Sequence, residues 1–163
     1  MKLSTKGRYA VMALVDLAAN DAGRPIALAE IADRQEISLS YLEQLFAKLR
    51  KGGLVCSVRG PGGGYRLSRN GEDINVADII DAVNESTDAT SCGGKGICQN
   101  GDMCLTHHLW NDLSQQIHGF LSGISLGQLT RKEHVLSIGE RQDANELMTK
   151  NKPSLIETET VSV

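Results

Sequence analysis

Cys92, Cys98 and Cys104 stand at even six-residue steps, and His107 follows three residues after the last of them. Thiolates and an imidazole together suit borderline and soft metals, zinc and iron–sulfur centres above all. Few of the intervening residues could enter a core, and so long a polar loop in a small domain usually either has a function or is disordered. An inorganic centre is expected to hold it in shape. Histidine is a neutral ligand that competes with a proton near physiological pH. A site with one such leg should therefore hold its centre less firmly than four thiolates would, as a sensor needs. Spacing alone leaves the histidine open, because Cys104 can share a helix face with His107 or with His108. It also leaves the metal open, since three cysteines and one histidine are an ordinary zinc set. Cys56 lies far from the others in an expected strand and reads as a small buried hydrophobe.

A second group of residues points to a polyanion. Residues 1–69 carry 11 Lys and Arg against 6 Asp and Glu, whereas residues 70–163 carry 6 against 14. The first half is basic within a chain of net charge −3, which suggests a negatively charged partner for that half alone. Gly60-Pro61-Gly62-Gly63-Gly64 does not read as a phosphate-binding loop, which needs a Lys-Ser/Thr ending and a helix to follow. Here Tyr65 and a strand follow.

The elements that must position these groups are mainly helical. Residues 4–21 form a first helix: Ser4 caps it, and Ala10, Leu14, Leu17 and Ala18 recur at helical spacing, broadened by Val11, Met12 and Val15. After Gly23-Arg24-Pro25 comes a short helix from Leu28 to Gln35, with Leu28, Ile31 and Ala32 inward and Glu30, Asp33 and Arg34 outward. A turn leads to a third helix, Leu39 to Lys51, whose apolar face is Leu39, Leu42, Leu45, Phe46 and Leu49. Two short helices across a tight turn match a helix-turn-helix at about residues 28–51. Strand-forming residues on either side of the glycine run give a hairpin wing at about 54–69, with Arg59 and Arg66 on its arms. Such a wing lets arginine approach phosphates or the minor groove.

Asn75 starts a fourth helix with Val76, Ile79, Ile80 and Val83 inward and Asp78 near its N-terminus. The polar loop then occupies about 86–108. Leu109, Leu113, Ile117, Phe120, Leu121 and Ile124 mark a long amphipathic helix at about 106–123. Such a stripe needs cover from its own core or from a second copy, and a two-fold dimer would match paired DNA half-sites. Ser125-Leu126-Gly127-Gln128 has the form of a capping box opening one last short helix. Residues 132–163 are expected to form a flexible acidic tail, without periodicity beyond about 138.

In the third helix Ser40, Tyr41 and Gln44 lie in the exposed early turns, where glutamine can pair with adenine and hydroxyls can serve bases or phosphates. Ser38 is expected to act as a helix cap before it reads anything. Glu43 is the odd residue, since a carboxylate in a groove meets phosphate repulsion unless it finds a cytosine amino group. Arg59, Gly60 and Pro61 belong to the wing. No apolar run approaches bilayer length and Met1–Lys6 lacks a signal peptide's apolar segment, so a cytoplasmic chain without a membrane partner is expected. In that compartment cysteines argue for ligands over disulfides. His118 and His134 have no nucleophile suggested beside them, so no enzyme is expected. An electron carrier or cluster donor could use the cysteines but would leave the basic half without a purpose.

Three motifs, Leu3-Ser4-Thr5-Lys6-Gly7-Arg8-Tyr9-Ala10, Ser38-Leu39-Ser40-Tyr41-Leu42-Glu43-Gln44-Leu45 and Arg59-Gly60-Pro61-Gly62-Gly63-Gly64-Tyr65, resemble the IscR-type family of winged-helix regulators. The spacing Cys92, Cys98, Cys104, His107 resembles that family's cluster-binding pattern, and the likeness spans about residues 2–131. It implies a mainly α fold: a winged helix-turn-helix with a small β-hairpin wing, a cluster-binding loop and a long dimerisation helix. It further implies a homodimer with one [2Fe-2S] cluster per subunit on those four residues, supplied by the iron–sulfur assembly machinery. Such a protein would bind double-stranded DNA through Ser38, Ser40, Tyr41, Glu43, Gln44, Arg59, Gly60 and Pro61. It would repress its own iron–sulfur assembly operon when clustered and control other promoters with or without the cluster. The residue matching Glu43 would discriminate against one promoter class until the cluster is bound. A nitric-oxide-sensing branch shares the fold and three cysteines, but its first two cysteines stand closer together than Cys92 and Cys98.

Overall fold

The computed structural model describes residues 3–150. Helix α1, Thr5–Ala19, is capped as expected, with the Ser4 side chain accepting from the Lys6 N–H. It buries Gly7, Ala10, Ala13, Leu14 and Leu17, and also Asp16. Helices α2, Leu28–Gln35, and α3, Leu39–Lys51, follow with the bounds that their apolar spacing predicts. Lys48, Arg50 and Lys51 occupy the last turn of α3, where cations oppose the helix dipole.

The hairpin consists of β1, Val55–Val58, and β2, Gly64–Leu67, paired antiparallel with Val55 opposite Leu67 and Val58 opposite Gly64. The Gly63 N–H donates to the Gly60 carbonyl at 2.9 Å, with Pro61 and Gly62 (φ 70°) between them. Proline followed by a positive-φ glycine is the requirement of a type II turn. The sheet extends to Ile26, which exchanges two backbone hydrogen bonds with Tyr65 at 2.7 and 2.9 Å. The wing's base is thus fastened between α1 and α2.

Helix α4, Val76–Ala82, has a reciprocal cap: the Asn75 side chain accepts from the Asp78 N–H at 2.9 Å, and the Asp78 carboxylate accepts from the Asn75 N–H at 3.3 Å. Helix α5 runs from His107 to Ser122 and α6 from Leu126 to Thr130, the latter opened by the expected Ser125–Gln128 capping box. One core joins these elements. Leu14, Ile31, Leu42, Leu45, Phe46, Leu49, Ile74 and Ile79 are its buried centre, with Leu126 closing it from α6. Tyr9 and Tyr41 meet edge to face beside it, their ring centres 6.1 Å apart.

Several expectations are corrected. Arg34 is buried, not outward, because its guanidinium forks onto the buried Asp16 carboxylate at 2.7 and 3.0 Å. Leu39 is 42% exposed and Met12 is 37% exposed, so neither belongs to the core. Cys56 is exposed, because it points away from the core on a strand of which only Val55 is buried. The segment from residue 132, expected without regular structure, contains an eighteen-residue helix, α7, Glu133–Lys150. It packs against α1, α2 and α6, and Gln142 hydrogen-bonds Gln35 at 2.9 Å. Its apolar residues do not gather on one face, and Leu136, Ile138, Leu147 and Met148 are all exposed. The part of the expected tail beyond residue 150 lies outside the described residues.

Candidate metal centre and nucleic-acid interface

The loop between α4 and α5 has no regular element, yet its backbone is specified. Asn100 and Gly101, both at positive φ (49° and 92°), form a tight turn in which Gln99 and Asp102 exchange backbone hydrogen bonds at 2.8 and 2.9 Å. Asn-Gly is the preferred pair for such a turn, and this dipeptide was the local signal for a miniature hairpin between the second and third cysteines. The turn reverses the chain so that the residues after it lead back to α5. His107 then opens α5, with its N–H donating to the Cys104 carbonyl at 3.1 Å.

Cys92, Cys98 and His107 converge. The two sulfurs are 3.3 Å apart, and His107 Nδ1 lies 3.5 Å from Cys92 Sγ and 3.2 Å from Cys98 Sγ. All three potential ligand atoms fall within 4.8 Å of one another. His107 is buried and His108 exposed, so of the two histidines left open by spacing it is His107 that joins the cysteines. Cys104 stands outside this triangle, with its sulfur 3.8 Å from Thr106 Oγ1.

The surroundings favour sulfur in its anionic form at two of three positions. Burial would raise the Cys92 thiol, but hydrogen bonding from Cys98, the Gly96 N–H, Thr90 and the Ile97 N–H outweighs it, lowering Cys92 to about 6. Cys104 is lowered by the Thr106 N–H, by Cys98 and by the Thr106 hydroxyl. Cys98 receives the Cys104 N–H but is raised by burial and by the two thiols beside it. Three thiols sharing one small volume cannot all ionise without a countercharge, and a bound cation would supply it. Donor type, convergence and backbone N–H groups aimed at sulfur therefore fit a thiophilic metal centre.

The DNA-reading candidates sit on two elements. Ser40, Glu43 and Gln44 are exposed and share a face of α3 by their i, i+3, i+4 spacing. Ser38 occupies the N-cap position of α3, but its side chain makes no capping hydrogen bond, contrary to expectation, which leaves the hydroxyl exposed. Tyr41 is half-buried against the core and Tyr9, so its ring supports the helix. Arg59, Gly60 and Pro61 are exposed at the wing turn. Arg66, on the other arm, pairs with Asp21 at 3.9 Å. The fork of Asp16 and Arg34 behind α2 was not foreseen, since nothing in the local pattern of either helix marks two charges that meet only in the folded chain.

Among the described residues no helix is long and apolar enough to cross a membrane. Comparison with known proteins agrees with the geometry. The chain is 58% identical over 142 residues to the HTH-type transcriptional regulator IscR of Cronobacter sakazakii, covering 87% of this chain and 88% of that protein. It is 56% identical over 146 residues to the regulator of that name from Citrobacter koseri, covering 90% of each. Among solved structures, T. potens IscR aligns with a TM-score of 0.66 at 42% identity, over 79% of this chain and 85% of that one. CymR, the global cysteine regulator of B. subtilis, aligns with a TM-score of 0.69 at 31% identity, over 80% and 96%. Residues 3–132 match the Rrf2 family, and with its winged helix, hairpin and cysteine loop the chain belongs to that family of iron-dependent transcriptional regulators.

Proposed function

We propose that this regulator senses iron–sulfur status through one [2Fe-2S] cluster per subunit, held by Cys92, Cys98, Cys104 and His107. The observation that carries the reading is the meeting of two thiols and the His107 Nδ1 within 4.8 Å in a loop anchored to α5. Such a centre, when bound, supplies a colour, a reduction potential and an occupancy that follows iron and sulfide supply. The chain's own part is to present sulfur as thiolate and His107 as a neutral donor. Residues 2–131 act as the regulatory domain, loaded by the iron–sulfur assembly machinery in the cytoplasm.

The DNA contacts are Ser38, Ser40, Tyr41, Glu43 and Gln44 from α3, with Arg59, Gly60 and Pro61 from the wing. Two copies joined through α5 bring two reading heads to two-fold related half-sites of double-stranded DNA. With the cluster bound, the dimer represses its own iron–sulfur assembly operon; at other promoters it acts with or without it. The second reading is a zinc-dependent regulator, favoured by the compact triangle of three donors from which Cys104 stands apart.

The test is a visible spectrum of protein purified without oxygen, with iron, acid-labile sulfide and zinc assayed on the same sample. Charge-transfer bands with about two iron and two sulfide per chain are expected. A colourless protein with stoichiometric zinc would replace the cluster reading by the zinc one. Binding to promoter DNA with and without the centre then measures what occupancy changes.

A further inference from the structure

The loop does not reach its ligand residues unsupported. Its upstream stem, residues 86–90, is tied to α5 at Ser114, which lies seven residues beyond His107. Seven residues are two helical turns, so His107 and Ser114 share a face about 10 Å apart along the axis. The Ser114 hydroxyl accepts from the Ala89 N–H at 2.8 Å and donates to the Trp110 carbonyl at 2.7 Å, with Asp88 Oδ1 at 3.4 Å as a longer alternative. The Asp88 carboxylate accepts from the Thr90 N–H at 2.7 Å, and Thr90 Oγ1 in turn accepts from the Gly94 N–H at 2.7 Å. The Thr90–Gly94 bond closes the chain around Cys92, which lies midway between them. Polar contacts therefore run from α5 through Ala89 and Asp88 to Thr90 and Gly94, which bracket the first cysteine.

We propose that Asp88, Thr90 and Ser114 form a staple that positions Cys92 against His107 and tunes the centre through the Thr90 hydroxyl. It rests on the reading of Cys92 and His107 as ligands. Groups that orient ligands and donate to their sulfurs adjust both retention and potential of a metal site. Thr90 and Asp88 are positioning residues, because they act through Cys92. The staple also fixes how the loop meets α5: loss of order at Thr90 is passed to Ser114 through the Asp88 carboxylate and the Ala89 N–H.

The test compares full-length protein with Thr90→Val, which keeps the β-branched shape, Thr90→Ser, which keeps the hydroxyl, and Ser114→Ala. With iron and sulfide loaded, Thr90→Val is expected to lose iron to a chelator about tenfold faster and to shift the reduction potential, while Thr90→Ser stays near wild type. In metal-free protein, amide exchange should accelerate at Gly94 in Thr90→Val and at Ala89 in Ser114→Ala. Equal iron retention and potential in Thr90→Val and wild type would overturn the tuning role, and unchanged exchange at Gly94 and Ala89 would overturn the staple. If wild-type protein binds no iron, the cluster reading and the tuning role fail together, while the exchange measurement still decides the staple.

Discussion

At the scale of single residues the site and the reading head pose opposite electrostatic problems. Around Cys92, Cys98 and Cys104 the chain gathers groups that become anionic and aims backbone N–H donors at all three, so positive charge is what the site lacks. On α3 the exposed face carries Glu43 beside Ser40 and Gln44, and there an anion approaches phosphate. A carboxylate is tolerated in a groove where it accepts from a cytosine amino group and is costly elsewhere. Glu43→Ala is therefore expected to relax promoter choice in the cluster-free protein. The ratio of its affinities for the two promoter classes should shrink about tenfold, the size of one base contact. Competition binding on the two DNAs measures it, and an unchanged ratio would remove Glu43 from the reading set.

At the scale of elements, the helix-turn-helix is oriented by charge as well as by its core. Asp16 on α1 and Arg34 on α2 are both buried, and Gln35 donates to the same carboxylate at 2.6 Å. Breaking a buried pair from one side leaves a charge without its main partner. Glu30 remains 3.7 Å from Arg34, so Asp16→Ala is expected to cost about 3 kcal/mol, the lower end for such a loss, seen as a lower urea midpoint. At the other end of α1, Glu85 accepts from the Ser4 hydroxyl and N–H and pairs with Lys6 at 3.5 Å. The Ser4 hydroxyl leads the causes that hold Glu85 below the usual carboxylate range. A carboxylate lowered on folding binds fewer protons than in the unfolded chain, so its contribution is present above the unfolded pKa and lost as pH falls through the folded one. Glu85→Gln should therefore lower the melting temperature at neutral pH, and the difference from wild type should close on acidification below the carboxylate range.

The same elements show what the sequence made legible. Helices α2 and α3 were readable to the residue, because a strong apolar stripe ends at turn residues on both sides. The caps at Ser4, Asn75 and Ser125 were readable because a cap is a local bond. The outward placement of Arg34 was misread because its partner comes from another helix, eighteen positions away. Helix α7 was missed for the opposite reason: its apolar residues follow no period, so propensity without a stripe looked like tail. In the ligand loop residue types and spacing named the donors, whereas the offset of Cys104 from the other three depends on a turn, Asn100-Gly101, that reverses the chain between them.

For the whole molecule the telling surface is α5. Its apolar residues are not taken up by the core: Leu109 is 60% exposed, Leu113 39% and Phe120 69%. A stripe left open on a sixteen-residue helix is more than a monomer usually presents to water, and a second copy of α5 is the cover that a two-fold operator would use. On the proposed pairing through α5, Phe120→Asp is expected to give a monomer where wild type sediments as a dimer and to weaken operator binding at least tenfold, with the fold intact by circular dichroism. Because His107 and Ser114 lie on this helix, the ligand loop and the proposed interface share one element.

Trp110, the chain's single tryptophan, lies three residues after His107 on α5 and donates its indole N–H to Thr106 Oγ1 at 3.1 Å. An indole so placed would pass its excitation to the proposed cluster when that is bound. Emission from this one side chain should be dim in loaded protein and brighten as the centre is lost, following release in real time with no dye attached. A Trp110→Phe variant should show no indole emission in either state, leaving only that of the three tyrosines. The helix that bears the proposed ligand histidine would thus also bear a built-in optical gauge of occupancy.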